Sequence, residues 1–314
     1  MSQKFTTLYL AVATICIAGC AERAPQTEFN PPDITRWAKP DVNVTELLSV
    51  EPNECLAPVT QNADFQAIAL GRMAFRSPFL LGGQATRRGL TCQACHTQGV
   101  RNENFFVIGL SDEPGTADVS NFHFSDELGD EIFNPSPIPS LSDDIRGVDY
   151  DPTKTDFEDF VTRLITKEFT GKNPSPEIKG ALMTYLRALD DSQCSDKILI
   201  GPDLLDYKVK VIEQTFGALE QNSYTTATQN FLTAALRIEL GRLNTRFPNS
   251  GAVQSELLSI SQHLNGRGAD VTSAQIKRAA QQWTAMSPTI TNHYSKSLFN
   301  PVAIERWSRQ FKSQ

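Results

Sequence analysis

Five consecutive residues, Cys92 to His96, constrain this chain more than any other part of its sequence. They read Cys-Gln-Ala-Cys-His, which is the C-x-x-C-H spacing at which two thiols bind a haem covalently and the next residue ligates its iron. The motif predicts one covalently bound haem c, held by Cys92 and Cys95, with His96 as the proximal iron ligand. The long irregular stretch from Gln98 to Tyr150 suits a chain that has to wrap such a group.

The N-terminus has the features of an export signal. Residues 1–19 carry one charge, Lys4, followed by an apolar stretch from Leu8 to Ile17, which is shorter than the roughly 20 residues of a membrane-spanning helix. The stretch ends in Ile17-Ala18-Gly19-Cys20, which resembles the lipobox of bacterial lipoproteins. We expect removal of residues 1–19 and lipidation of Cys20. An ordinary secreted protein with a chance cysteine at this point is the alternative.

A lipid on Cys20 would hold the protein on a membrane of the bacterial cell envelope, facing the periplasm. The residues after Cys20 are Ala21 and Glu22. Because no aspartate follows the anchor, the resemblance favours the outer membrane over the inner one.

The six cysteines of the chain divide into groups with different expected fates. Cys16 leaves with the signal, Cys20 takes lipid, and the motif uses two more. Cys55 and Cys194 remain, and an oxidising periplasm permits a disulfide between them that would enclose the whole haem segment. Two separate buried thiols are the alternative.

The motif has competing interpretations, and the rest of the sequence argues against each. A zinc site needs a second ligand pair, but Cys55 and Cys194 are distant single residues and the nearest other histidine is His123. A thioredoxin-like pair would lie beside a β-α-β pattern, which is absent.

The formal charge of −7 argues against nucleic acid as a partner.

Apolar periodicity predicts an all-α fold, a cytochrome c-like haem domain followed by a helical bundle. We assign residues 20–61 to a tether, 62–196 to the haem domain and 201–314 to the bundle. Phe65, Ile68, Ala69 and Met73 form one face of the first predicted helix. Single apolar stripes on successive helices after Gly201-Pro202 predict the bundle.

The sixth iron ligand is the open question at the haem. No methionine occurs between His96 and the closing helix of the haem domain, and His123 is the only other histidine in that domain. His123 is therefore the candidate distal ligand. The alternatives are a surface histidine with an open sixth site, or ligation by Met73 or Met183. A histidine lowers the haem potential, whereas a methionine raises it.

Three stretches carry a resemblance to a known family. Residues 69–75 read Ala-Leu-Gly-Arg-Met-Ala-Phe, Gly82-Gly83 follow a turn at Pro78, and residues 90–96 read Leu-Thr-Cys-Gln-Ala-Cys-His. Together they resemble the first haem module of the bacterial di-haem cytochrome c peroxidases.

Two later stretches extend this resemblance. Residues 138–141, Ile-Pro-Ser-Leu, and the stretch from Lys179 to Leu189 look like the close of a cytochrome c domain. The resemblance covers about residues 63–190 and implies that His123 stands where the family has a distal histidine. Those enzymes use two haems, whereas this chain has a single C-x-x-C-H.

These features favour a lipid-anchored, single-haem cytochrome that passes electrons to or from a periplasmic redox protein. The helical domain would then serve for docking. Two alternatives remain: a peroxidase-like haem enzyme with an openable distal site, and a binding protein in which haem senses redox state or a small ligand.

Overall fold

The structure, a computed structural model, describes residues 31–121, 129–141, 155–221 and 224–312. The signal peptide (1–19), Cys20 and His123 lie outside these residues. The helices are α1 (Val44–Ser49), α2 (Asn62–Arg76), α3 (Gly83–Arg88), α4 (Cys92–Cys95), α5 (Thr155–Arg163), α6 (Pro176–Ala188), α7 (Pro202–Gln221), α8 (Thr226–Thr245), α9 (Gly251–His263), α10 (Ser273–Asn292) and α11 (Pro301–Lys312). The strands are β1 (Val50–Pro52), β2 (Thr116–Ala117), β3 (Ser136–Pro137) and β4 (Ile198–Ile200).

Helices dominate the described residues, so the prediction of an all-α class is confirmed. The strands are two or three residues long and form two antiparallel pairs, β1 with β4 and β2 with β3. The stretch between α4 and α5 is mostly turns and irregular chain where it is described. Short strands of this kind fasten loops and do not build a sheet core.

Helix α2 packs against α6, α7 and α8. Its crossing with α6 is close because Gly71 has no side chain. A Cβ at Gly71 would lie 2.1 Å from the carbonyl oxygen of Ala181 and 2.7 Å from the Cβ of Tyr185. Glycine is thus the residue that this helix contact permits.

Helices α7 to α10 pack in sequence, α7 with α8, α8 with α9, and α9 and α7 with α10. Their buried apolar residues form one core that also includes Leu70 and Met73 of α2 and Ala181 of α6. Residues from Pro31 onward group into one compact unit. This core thus includes residues from both sides of residue 200, and the division into a haem domain (62–196) and a bundle (201–314) stays a prediction.

Part of the segment predicted as a tether is packed into the fold. Trp37 is buried against Phe105, with 6.2 Å between ring centroids, and Leu48 of α1 is buried with Leu298 and Ile304 near the C-terminus. These apolar residues belong to short elements without a lasting period, so periodicity does not reveal them.

The predicted apolar face of α2 is correct except at its first member. Ile68, Ala69 and Met73 are buried, but Phe65 is 53% exposed and lines a surface groove with Val59 and Gln221. Every residue from Ile68 to Arg76 is buried. A single stripe does not describe this helix, because its second half is enclosed on all sides.

No helix in the described part of the chain is long and apolar enough to cross a membrane.

Candidate functional site

The C-x-x-C-H motif forms a single helical turn, α4, that is capped at both ends. At its start, the Thr91 hydroxyl accepts a hydrogen bond from the backbone N–H of Ala94, at 3.2 Å. At its end, the side-chain amide of Asn102 donates to the carbonyl of Ala94 at 2.8 Å, and its backbone N–H donates to the carbonyl of Cys95 at 2.9 Å. One turn of helix has few hydrogen bonds of its own, so these caps fix the positions of the cysteines.

Cys92 and Cys95 are free thiols that are partly accessible and pack against an apolar cluster containing Leu90 and Ala94. Burial raises the pKa of the Cys92 thiol to about 12. Burial, together with Cys92, also raises the pKa of Cys95. Both shifts are opposite in direction to the lowered thiol pKa values of reactive dithiol sites.

The imidazole of His96 is held by a backbone carbonyl. Its Nδ1 lies 2.9 Å from the carbonyl oxygen of Pro139. A carbonyl only accepts hydrogen bonds, so the contact assigns the proton to Nδ1 and leaves a lone pair on Nε2. Burial lowers the pKa of His96 to about 4, and the Pro139 hydrogen bond opposes this shift. The ring is therefore neutral at pH 7 and can act as a ligand through Nε2.

The carbonyl of Pro139 is positioned by bonds between its own segment and the chain that follows the motif. Arg101 Nε donates to the carbonyl of Ile138 at 2.5 Å, and the N–H of Leu141 donates to the carbonyl of Gly99 at 2.7 Å. A metal-ligating histidine is expected to donate its other ring nitrogen to an acceptor such as a backbone carbonyl, but the sequence does not identify which one. The resemblance at residues 138–141 was the signal that could have identified Pro139.

The two methionines considered as sixth ligands lie in different parts of the core. Met183 belongs to the apolar cluster against which Cys92 and Cys95 pack. Met73 belongs to the core formed with α7 to α10. Of the two methionines, Met183 is thus the one that shares an environment with the motif. His123, the candidate distal ligand, lies outside the described residues.

Cys55 and Cys194, which are 139 positions apart in sequence, are joined in a disulfide with their Cα atoms 5.4 Å apart. The strand pair β1–β4 lies beside this bond, with Val50 opposite Ile200 and Pro52 opposite Ile198. Both ends of the segment that contains the motif are therefore fastened together.

A cluster of buried charged residues, which sequence reasoning missed, lies next to α4. At its centre is Arg76, only 2% exposed. It donates to Gln98 at 2.9 Å and to the hydroxyl of Tyr207 at 2.8 Å, and it forms an ion pair with Glu239 at 3.4 Å. Gln98 in turn donates to Glu51 at 3.1 Å, and Lys208 pairs with Glu51.

A second buried pair joins α2 to the chain before it. Arg72 Nε donates to both carboxylate oxygens of Glu54, at 2.9 and 2.8 Å, and the Tyr185 hydroxyl donates to Glu54 at 2.8 Å. Burial alone would raise the pKa of Glu54, but Arg72 and these hydrogen bonds lower it below its usual value. Two arginines four residues apart in the otherwise apolar second half of α2 were the signal for both clusters.

Among the described residues, no group of three or more histidine, cysteine, aspartate or glutamate side chains is placed to hold a metal ion together, the motif included. The motif thus offers one nitrogen ligand and two thiols for covalent attachment. No protein-family model, curated protein or solved structure matches this chain.

Proposed function

We propose that this protein is a c-type cytochrome that carries one covalent haem and transfers single electrons to or from a partner protein in the periplasm. The observation that supports this most is the capped C-x-x-C-H turn in which His96 Nδ1 contacts the carbonyl of Pro139. An iron-ligating histidine almost always donates its other ring nitrogen to such an acceptor, which fixes the ring and strengthens the ligand.

The donor set fits a haem. Cys92 and Cys95 are unpaired, whereas Cys55 and Cys194 form a disulfide, so the two thiols of the motif are left for thioether bonds. His96 Nε2 would ligate the iron, and the bound haem would supply reversible one-electron chemistry. The apolar cluster beside the cysteines would keep water from that face.

The single C-x-x-C-H in the sequence favours an electron carrier over a two-haem enzyme, because one haem stores one electron. The Cys55–Cys194 disulfide supports a location in the periplasm, since disulfides persist in oxidising compartments. We further propose that lipid on Cys20 anchors the protein to the outer membrane, that residues 62–196 form the haem domain, and that the C-terminal helices provide the docking surface.

Mass spectrometry of the mature protein tests the proposal directly. We expect the added mass of one haem in wild type and its loss when Cys92 and Cys95 are both replaced with serine. His96→Ala should abolish the low-spin absorption bands, whereas His263→Ala, a matched change on α9, should leave them unchanged. A mature chain without haem mass would overturn the proposal.

Visible spectroscopy distinguishes the carrier from the peroxidase-like enzyme. A carrier should be six-coordinate and low-spin, and its bands should not change with added cyanide or carbon monoxide. High-spin bands together with oxidation driven by peroxide would contradict the carrier and support the enzyme. We propose His123 as the sixth ligand, so His123→Ala should shift the spectrum toward high spin, and an unchanged spectrum would remove that assignment.

A further inference from the structure

A cavity of about 110 Å³ lies next to α4. Gln93, Ala94 and Thr97 line it, whereas Cys92, Cys95 and His96 do not. A single water needs about 10–15 Å³ on this measure. The space is therefore sufficient for several waters or one small anion, and it is separate from the face that would bind haem.

The charged residues around this cavity do not balance. Its lining includes four cationic and three acidic side chains. The cations are Arg76, Lys208, Arg242 and Arg246, and the carboxylates are Asp33, Glu51 and Glu239. All three carboxylates have cationic partners, since Lys208 pairs with Glu51, Arg76 and Arg242 with Glu239, and Arg242 also with Asp33. One cation is left over.

The unmatched cation is Arg246, which follows α8 and is 6% exposed. One of its nitrogens donates to the carbonyl of Leu48, and its guanidinium lies over the ring of Phe299, 4.2 Å from the centroid. Its Nε is buried without a hydrogen-bond partner, and it forms no ion pair with any carboxylate in the described part of the chain.

Burial lowers the pKa of Arg246 to about 10, and the negative charge of Glu51 only partly offsets this shift. A guanidinium buried without a matching anion is costly for a protein to keep. Arginine also presents a planar fork of donors that matches the oxygens of carboxylates and phosphates. The residue and its surroundings are those of an anion-binding arginine.

We propose that this cavity is a binding site for a small oxyanion, a carboxylate or inorganic phosphate, with Arg246 as its main ligand. The anion would balance the excess positive charge in the lining of the cavity. The volume of about 110 Å³ limits the ligand to a compact molecule. Glu51 and Glu239, which also line the cavity, would repel a ligand that carries several negative charges.

Thermal unfolding followed by far-UV circular dichroism tests this site without depending on haem. Sodium phosphate and sodium acetate would be titrated separately, with ionic strength held constant by sodium chloride. We expect at least one of the two to raise the Tm saturably by about 2–4 °C, and the comparison identifies the preferred oxyanion. The absence of a saturable rise with both would overturn the proposal.

Variants identify the ligand residue. Arg246→Gln should weaken anion binding at least tenfold. Arg246→Lys should have an intermediate effect, because it keeps the charge but loses the planar donors of the guanidinium. Arg278→Gln on the exposed face of α10 is the control and should bind the anion as wild type does. A wild-type response from Arg246→Gln would contradict the assignment. If that variant does not fold, anomalous diffraction from wild-type crystals grown with sodium selenate decides, and selenate found only outside the cavity would overturn the site.

Discussion

Individual residues show how much the buried charges of this protein depend on their partners. Glu54 is held by Arg72 and Tyr185 in a site where the two charged side chains are 2% and 5% exposed. Removing one member of such a pair leaves the other charge buried without compensation, which typically costs about 3–5 kcal/mol. These contacts make Glu54 more important for stability than its position before α2 suggests.

We therefore expect Glu54→Gln to lower the free energy of unfolding by about 3–5 kcal/mol at pH 7, measured by urea denaturation. The pKa of Glu54 in the folded state lies below its usual value of 4.5. Its stabilising contribution is thus fully present above pH 4.5 and is lost as the pH falls through the folded-state pKa. As the pH is lowered through that acidic range, the unfolding free energy of the Glu54→Gln variant should fall less steeply than that of wild type.

Glu213→Gln is the matched control, because Glu213 lies on the exposed face of α7. Its unfolding free energy should stay within about 0.5 kcal/mol of wild type. Equal stability of Glu54→Gln and wild type at pH 7 would contradict the role assigned to the Glu54–Arg72 pair.

Sequence reasoning predicted a haem site from the spacing of Cys92, Cys95 and His96 but missed the buried charged residues that lie next to them. Arg76, Glu51 and their partners come from segments far apart in sequence, so even the unusual arginines of α2 do not indicate which residues they contact. The packing of α2 against α7 and α8, together with β1, brings the cluster together.

At the level of elements, the crossing of α2 and α6 depends on a single missing side chain. Gly71→Ala would place a Cβ 2.1 Å from the Ala181 carbonyl oxygen, so one of the helices has to move. We expect a loss of about 1–3 kcal/mol in unfolding free energy, measured by chemical denaturation.

Gly180→Ala on α6 is the corresponding control, because nothing lies within 4 Å of a Cβ at that position. Alanine favours a helix over glycine by about 0.8–1.0 kcal/mol, so this variant should be slightly more stable than wild type. Similar effects of the two substitutions would mean that helix propensity alone, and not close packing, determines the response at Gly71.

Element boundaries were predictable where caps and periodicity coincide. Ser175 and Pro176 mark the start of α6, and the Ser175 hydroxyl accepts from the N–H of Ile178 as an N-cap should. Short elements such as α1 and β4 were not predictable, because three to six residues carry no readable period. Their positions are set by tertiary contacts.

For the whole molecule, the disulfide is the long-range constraint with the largest expected effect. It links Cys55 to Cys194 across 139 residues, and a bond that closes a long loop removes much of the freedom of the unfolded chain. We expect the double replacement of both cysteines with alanine to lower the unfolding free energy by about 2–5 kcal/mol.

Urea denaturation of this variant and of wild type, each with and without dithiothreitol, measures that loss. Reductant should destabilise wild type and have little further effect on the variant. If reduction of the disulfide leaves the unfolding free energy of wild type unchanged, the expected constraint is contradicted.

The paired strands β1 and β4 and the neighbouring disulfide also impose an order of events in time. A chain is made from its N-terminus, so Val50 and Cys55 have to wait for residues 194–200 before either closure can form. During that interval Cys92, Cys95 and His96 belong to an open chain. The proposed attachment of haem is therefore expected to precede closure, and a premature bond between Cys55 and either cysteine of the motif would block both the attachment and the disulfide.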